Sequence, residues 1–213
     1  MTGMLAAMAW HAPSGGELTA LIVVASFSAG LNAYATVGML GILSRAGALA
    51  LPPSLHLVAN WYVIAACAVL YLVEFVADKI PVVDLLWNAL QTFVRVPVAA
   101  VLAYGATAQL PQSEQLLATA LGALIAFAAH GGKMAARAAV THSPEPFSNI
   151  ALSLGEDGLV VFLTWLWTRH PYASAAIVVA MLLVIVVTIR WVVRAMRQLF
   201  GGAGQALRPN PAR

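Results

Sequence analysis

Charged and amide side chains recur at helical spacing inside otherwise apolar segments of this chain. The clearest run is spaced four, three and four residues apart and comprises Asp84, Asn88, Gln91 and Arg95. Residues at these intervals lie on one face of an α-helix. Carboxylates beside basic groups in an apolar setting can exchange protons, hold an ion or pair with one another. The spacing therefore predicts a polar stripe with one of these roles.

Three further segments carry comparable stripes. Their members are Glu74 and Asp78 followed by Lys79; His130, Lys133 and Arg137; and Asn149, Ser153 and Glu156 followed by Asp157. With a rise of 1.5 Å per residue, Arg95 and Glu156 lie about 20 Å and about 14 Å from the starts of their helices, near the middle of a bilayer. A lone charge there costs about 2.5–3.5 kcal/mol. We therefore expect the stripes to converge inside a helix bundle or around an aqueous cavity.

The charged set is acid-rich, with six carboxylates and four bases. The candidate site residues are Glu74, Asp78, Lys79, Asp84, Gln91, Arg95, Lys133, Arg137, Glu145, Asn149, Glu156 and Asp157. Pairing every base leaves two carboxylates over, and an unpaired buried carboxylate has a raised affinity for protons or cations. Glu156 and Asp157 are the first candidates for that role. The alternative is a purely structural network of salt bridges that orders the helices.

The composition excludes a soluble protein. The chain has 213 residues, of which 62% are hydrophobic and only 9% charged, and its mean hydropathy is +0.87. A typical globular protein carries about 25% charged residues. Disordered chains and nucleic-acid-binding domains are excluded for the same reason, and the single Cys67 excludes an intrachain disulfide. The sequence predicts an all-α, polytopic bundle whose main partner is the lipid bilayer.

Six apolar segments are long enough to span a membrane. We designate them helices A to F, at residues 17–44, 55–80, 82–104, 113–140, 147–169 and 172–200. Together they form one predicted transmembrane domain over residues 17–200. Residues 1–16 are predicted to be an interfacial or disordered segment, and residues 201–213 a basic tail.

The distribution of lysine and arginine predicts the orientation of the bundle. Six spans place the B–C turn, the D–E turn and both termini on one side, which then holds eight basic residues, whereas the other side holds only Arg45 and Arg169. Both termini are therefore expected in the cytoplasm. A five-span alternative makes helix C re-entrant, because Pro97 interrupts it.

Helix A contains one polar residue at mid-depth. Asn32 lies between Ser28 and Thr36 on a four-residue ladder. Its amide either forms a hydrogen bond with a neighbouring helix or reaches the charged centre.

Three motifs carry a resemblance to a known family. They are Ala-Gly-Leu-Asn-Ala-Tyr at 29–34, Glu-Phe-Val-Ala-Asp-Lys-Ile-Pro-Val-Val-Asp at 74–84, and Ser-Pro-Glu-Pro-Phe-Ser-Asn at 143–149, which Glu156-Asp157 follows. Together they resemble the bacterial membrane-protein family called domain of unknown function 4126, over residues 18–197. The resemblance implies a single polytopic domain in the bacterial cytoplasmic (inner) membrane. It implies no activity.

Transport is the function that the pattern favours most. The substrate is expected to be a small polar or anionic solute or an ion, with proton coupling through a carboxylate. The alternative is a non-transporting scaffold or assembly factor, and a homo-oligomer fits either role. An enzyme is not expected, because His130 and His142 lack the H-E-x-x-H spacing and no serine lies in a G-x-S-x-G motif. The sequence indicates no cofactor, metal or nucleic-acid partner.

Overall fold

The computed structural model describes residues 14–140 and 146–206, which contain helices and no β-strand. The helices are α1 (Gly15–Leu31), α2 (Ala33–Arg45), a 3₁₀ helix (Pro53–Ala59), α3 (Trp61–Ala77), α4 (Pro81–Ala106), α5 (Gln112–Val140), α6 (Pro146–Arg169) and α7 (Pro171–Ala206). The all-α prediction is confirmed. The chain is a helical membrane protein. Residues 1–13 and 207–213, which include most of the predicted N-terminal segment and half of the predicted tail, lie outside the described residues.

The predicted helix A is divided at Asn32. The backbone of Asn32 is extended, with φ −151° and ψ 104°, so α1 ends at Leu31 and a new helix begins at Ala33. The Asn32 N–H donates to the Ser28 carbonyl, and its side-chain oxygen accepts from the Ala35 N–H at 2.9 Å. Asn32 therefore closes one helix and caps the next, which is a role that asparagine performs well.

Helices α1 and α2 form a hairpin whose two open ends lie at the same end of the bundle. Glu17, near the start of α1, lines one cavity together with Leu49 and Pro52, which follow α2, and with Arg169 at the end of α6. A single span over residues 17–44 would place Glu17 and Leu49 at opposite ends. The prediction of one continuous helix A is therefore wrong, because the chain reverses at Asn32.

Neighbouring helices confirm the two directions of the hairpin. A Cβ atom on Gly30 would lie 2.5 Å from the Ala126 carbonyl oxygen of α5, so only glycine allows α1 and α5 to approach this closely. Gly41 and Gly38 of α2 face Ile64 and Cys67 of α3. As residue numbers fall along α2 they rise along α3, so these two helices are antiparallel.

The described residues offer four or five membrane spans in place of the six expected. Segments 86–106, 112–137, 150–169 and 171–194 are each long and apolar enough to cross a membrane, and the 3₁₀ helix with α3, bent by 58°, makes a fifth. Helix α4 is continuous through Pro97, and its residues 86–106 form one of the candidate spans, so helix C is not broken at that proline. The last helix continues past its predicted end at residue 200.

The two ends of the described chain lie at opposite ends of the bundle. The Ser14 hydroxyl is 3.5 Å from the Tyr172 hydroxyl at the start of α7, and α7 then runs away from that end. The arrangement of these described ends follows from the α1–α2 hairpin, which returns to the end of the bundle where it begins. The shared side predicted for the two termini themselves stays a prediction.

Helix α1 is the centre of the hydrophobic core. One face packs leucine and alanine side chains, including Leu18 and Leu21, against α4, α5 and the segment after α2. The other face packs Val24 and Phe27 against Leu163 and other side chains of α6 and α7. Helix α7 exposes most of its apolar surface, as expected of a helix that faces lipid. The core thus holds the Asn32 turn in the interior of the bundle.

Candidate functional site

The charged stripes meet at the turn of the α1–α2 hairpin. The Lys133 ammonium of α5 donates to the Leu31 carbonyl at 3.3 Å. In an unbroken helix the Ala35 N–H would donate to the Leu31 carbonyl. Here the Ala35 N–H donates to the side-chain oxygen of Asn32 instead. The Leu31 carbonyl therefore receives no hydrogen bond from Ala35. It lies at the negative end of the α1 dipole, where a cation such as the Lys133 ammonium is favoured. The helix break and the cation therefore stabilise each other.

Arg95 links α3, α4 and α5 in one buried chain of contacts. One of its terminal nitrogens pairs with Glu74 Oε1, and the other lies 2.8 Å from His130 Nδ1. A guanidinium only donates, so His130 Nδ1 is the acceptor and its Nε2 carries the proton. That Nε2 is 3.1 Å from the Asn88 carbonyl and 2.9 Å from the Thr92 hydroxyl. Arg95 and Glu74 are 0% exposed, so each depends on the other for its charge.

Lys133 lies among three carboxylates. Its Nζ is 3.1 Å from Glu156 Oε2, 3.5 Å from Asp78 Oδ2 and 3.7 Å from Glu74 Oε1. The three acids come from α3 and α6, so one ammonium on α5 connects helices that are distant in sequence.

Arg137, one helical turn beyond Lys133, contacts three carboxylates. Its guanidinium lies 2.6 Å from Asp84 Oδ1, 2.7 Å from Asp78 Oδ2 and 2.8 Å from Glu156 Oε2. Glu156 Oε2 thus accepts from both Lys133 and Arg137. Neutralising this one carboxylate would weaken two cation contacts at once.

These ion pairs connect seven side chains into what we call the charged network. Its members are Glu74, Asp78, Asp84, Arg95, Lys133, Arg137 and Glu156. Among the described residues the network has four carboxylates and three cations. The nearby Asp157 adds a carboxylate, and Lys79, which attracts Asp157 and Asp78 electrostatically, adds a cation, so the formal excess is one negative charge. The seven side chains of the network and Asp157 are all buried.

Several buried oxygens in and beside the network lack a hydrogen-bond donor among the described residues. They are Glu74 Oε2, Asp78 Oδ1, Asn88 Oδ1 and Gln91 Oε1. An unsatisfied buried acceptor costs about 1–3 kcal/mol, and more when it is charged. Arg95 Nε is a donor in the same condition. The indole Nε1 of Trp87, also on α4, is a second such donor, so the unsatisfied groups in and beside the network include both acceptors and donors.

Asp157 lies beside the network and has neutral partners. Its Oδ1 accepts from Asn32 Nδ2 and its Oδ2 from the Tyr71 hydroxyl, both at 3.0 Å. No lysine or arginine in the part of the chain that the structure describes is within ion-pair distance of it. Asp157 is thus the carboxylate with the least direct compensation for its charge, and it contacts the hairpin turn.

A groove of about 420 Å³ on the outer side of α6 reaches Asp157. We call it the lateral groove, and its lining includes Tyr71 of α3 with Asp157, Gly158, Val161, Phe162 and Trp165 of α6. Apart from Asp157 and the Tyr71 hydroxyl, these side chains are apolar. Val161, Phe162 and Trp165 are each nearly half exposed, so the groove opens sideways from the bundle.

The structure brings together most of the predicted site residues. Besides the charged network and Asp157, Asn32 reaches the charged centre, which was one of its two predicted roles. Gln91 is buried on the same face of α4 and donates to the Tyr34 hydroxyl at 3.1 Å. Lys79 lies near enough to interact electrostatically with Asp157 and Asp78, but its ammonium donates to the Phe75 carbonyl at 2.9 Å and forms no ion pair with a described residue. Glu145 lies outside the described residues, and the side chain of Asn149, on α6, is not among those described.

Three residues that contact the site were not among those predicted from the sequence. His130 was assigned to a stripe but not to the candidate site, and the hydroxyls of Tyr71 and Tyr34 were not considered. His130 is three residues before Lys133, which is a usable signal. Neither tyrosine lies on a polar stripe, so only the helix packing reveals its partner.

The described residues contain no group of three His, Cys, Asp or Glu side chains placed to hold a metal ion. The acids of the network contact lysine and arginine nitrogens, so the network is built from ion pairs and hydrogen bonds.

Comparison with known proteins gives one match. A family model described as "Domain of unknown function (DUF4126)" matches residues 19–191, a range that includes all four stripes and the hairpin turn. No curated protein and no solved structure matches the chain.

Proposed function

The chain belongs to the family described as a domain of unknown function (DUF4126), and we propose that it is a membrane transport protein. In this proposal a small solute or an ion passes the charged network, and Asp157 exchanges a proton during passage. The observation that supports it is the contact of the α1–α2 hairpin turn with Asp157, a buried carboxylate without an ion-pair partner among the described residues, and with the buried Lys133 ammonium. Transporters commonly bind substrates and coupling ions where helices are interrupted near the bilayer midplane.

Asp157 is a better candidate for proton exchange than Glu156. Glu156 Oε2 accepts from Lys133 and Arg137, so a proton or ligand that binds there has to displace two ion pairs. Asp157 has only an amide and a phenol as direct partners, so no ion pair among the described residues has to break for a proton or ligand to bind it. Because Asn32 donates to Asp157, a change in its charge would act directly on the hairpin turn.

The proposed orientation places the C-terminal end of α7 in the cytoplasm. The exposed Arg190, Arg194 and Arg197 lie at that end, whereas Arg45 and Arg169 lie at the other. The positive-inside rule then makes the hairpin enter from the outer face. A bacterial cytoplasmic membrane is the proposed location.

Proton flux in proteoliposomes tests the proposal. Protein is reconstituted with a pH-sensitive dye inside the vesicles, and a pH gradient is imposed with and without a panel of small polar solutes. We expect flux above that of empty vesicles and a loss of about tenfold or more in Asp157→Asn, as is typical for the removal of a group that transfers protons. The matched control is Glu114→Gln, which neutralises an exposed acid at the far end of α5. Flux equal to that of empty vesicles under every condition would reject transport.

A scaffold function is the second candidate, and the dense pairing of Arg137 favours it. Three carboxylates around one guanidinium are typical of a network that fixes helix positions. A scaffold needs the ion pairs for folding but does not need proton exchange at Asp157, which has no ion-pair partner among the described residues. It therefore predicts that Asp157→Asn retains both folding and cellular function, whereas transport predicts a folded but inactive protein.

A further inference from the structure

We infer that the lateral groove binds a lipophilic organic cation, with its positive charge at Asp157 and its apolar groups along α6. This deepens the proposed transport function by naming a substrate class. The assignment of the cation as a substrate rests on that function, whereas its binding does not.

The charge of Asp157 identifies the sign of the ligand. The carboxylate is 7% exposed, lines the groove, and has no ionic partner among the side chains described there. Its oxygens accept one hydrogen bond each, from Asn32 and Tyr71, and a carboxylate has about four acceptor positions. It can therefore receive a further contact without losing those it has. In an apolar, low-dielectric groove, a cation at this position is strongly favoured over a neutral or anionic group.

The remaining lining indicates the rest of the ligand. Phe162 and Trp165 lie one helical turn apart on the groove side of α6, with Tyr71 opposite. Aromatic faces attract cations that are not surrounded by water, quaternary ones in particular. The volume of about 420 Å³ falls within the range of pockets that hold drug-sized molecules.

The groove opens where lipid tails would lie, which suits entry from the bilayer. Val161, Phe162 and Trp165 are 44%, 45% and 46% exposed, and they lie on the side of Asp157 that is nearer the end of α6. A hydrophilic solute would have to cross lipid to reach this opening. A cation with apolar substituents partitions into the bilayer and approaches directly.

Binding of tetraphenylphosphonium to the full chain in nanodiscs tests this inference. Equilibrium dialysis with the labelled cation measures affinity, and tetraphenylborate is the matched anion of similar size. We expect saturable binding of the cation and not of the anion. Asp157→Asn should weaken binding about tenfold or more, since loss of 1.4 kcal/mol is already tenfold. Glu114→Gln should bind as the wild type does.

Gly158→Leu provides a second variant that tests the same groove. A Cβ on Gly158 meets no atom within 4 Å, so a side chain there enters open space and the fold is retained. It should also weaken binding about tenfold, by occupying ligand volume. Unchanged binding in either Asp157→Asn or Gly158→Leu overturns the inference, and so does equal binding of tetraphenylborate. If a lipid or a second copy of the chain covers the groove, no saturable binding appears, which also overturns it. Binding without flux rejects only the transport function, and flux without binding rejects only this site.

Discussion

Replacing Arg95 with methionine tests directly whether the charged network stabilises the folded protein. Methionine matches the length of the arginine stem but carries no charge. Glu74 Oε1 then retains only Lys133, at 3.7 Å, and Glu74 Oε2 has no donor among the described residues. His130 Nδ1 also loses the nitrogen that lies 2.8 Å from it. The substitution therefore leaves a buried anion with weak compensation and a buried acceptor with none.

The expected loss is large for a single substitution. Breaking a buried ion pair by removing one partner costs about 3–5 kcal/mol. The lost hydrogen bond to His130 adds about 1 kcal/mol. Arg169→Met is the matched control, because Arg169 is exposed at the end of α6 and a surface charge contributes about 0–1 kcal/mol. Adding Glu74→Gln to Arg95→Met should restore at least half of the loss, because the unpaired anion is then removed.

Reversible unfolding in mixed detergent and SDS micelles, followed by circular dichroism, measures these free energies. The wild type, Arg95→Met, Glu74→Gln and the double variant form a double-mutant cycle for Glu74 and Arg95, with a coupling energy expected at about 2 kcal/mol or more. If Arg95→Met costs no more than Arg169→Met, or if the double variant is less stable than Arg95→Met alone, the ion pair is not the main interaction of these two side chains.

Three further predictions concern the hairpin and its direction. Gly30→Leu should destabilise the protein by about 1–3 kcal/mol or more in the same unfolding assay, because its Cβ would lie 2.5 Å from a backbone oxygen of α5; wild-type stability would contradict the close α1–α5 contact. Asn32→Ala removes a helix cap and a buried hydrogen bond to Asp157. It should lower the free energy of unfolding by more than Asn60→Ala does, because Asn60→Ala removes only an exposed cap of α3, worth about 0.5–2 kcal/mol. Equal losses of stability would mean that the hydrogen bond to α6 adds nothing. In a cysteine-free background, Ser14→Cys and Leu110→Cys should react with an impermeant maleimide from the same side of the membrane, opposite to a tag at the C-terminus; labelling of Ser14→Cys on the tag side would restore the six-span topology.

The polar stripes were predictable because they depend on helical periodicity alone. Asp84 and Arg95 lie on one face of α4, and Lys133 and Arg137 on one face of α5, at the intervals that 3.6 residues per turn requires. The cost of isolated charges in lipid then forces the stripes together, whatever the helix arrangement. All seven members of the charged network were among the predicted site residues.

The hairpin was not predictable by the same reasoning. The segment from residue 17 to 44 is continuously apolar apart from a few small polar residues, and its length suits one span. Asn32 is a good helix cap, but asparagine also occurs inside membrane helices as a hydrogen-bonding residue. The break becomes stable only because Lys133 and Asp157, which are distant in sequence, bind the Leu31 carbonyl and the Asn32 amide.

The low share of charged residues, 9%, is enough to predict that this chain is a membrane protein, and the spacing of those residues predicts which helix faces are polar. Those properties follow from composition and local periodicity. The tertiary structure decided where helix A reverses, how many helices cross the bundle, and which carboxylate remains without an ionic partner. Pairing depends on which helices are neighbours, and glycine contacts such as Gly30 against α5 set those neighbours. The sequence predicts an excess of acids without saying which one is unpaired. The structure identifies Asp157, which contacts the hairpin turn and lines the lateral groove.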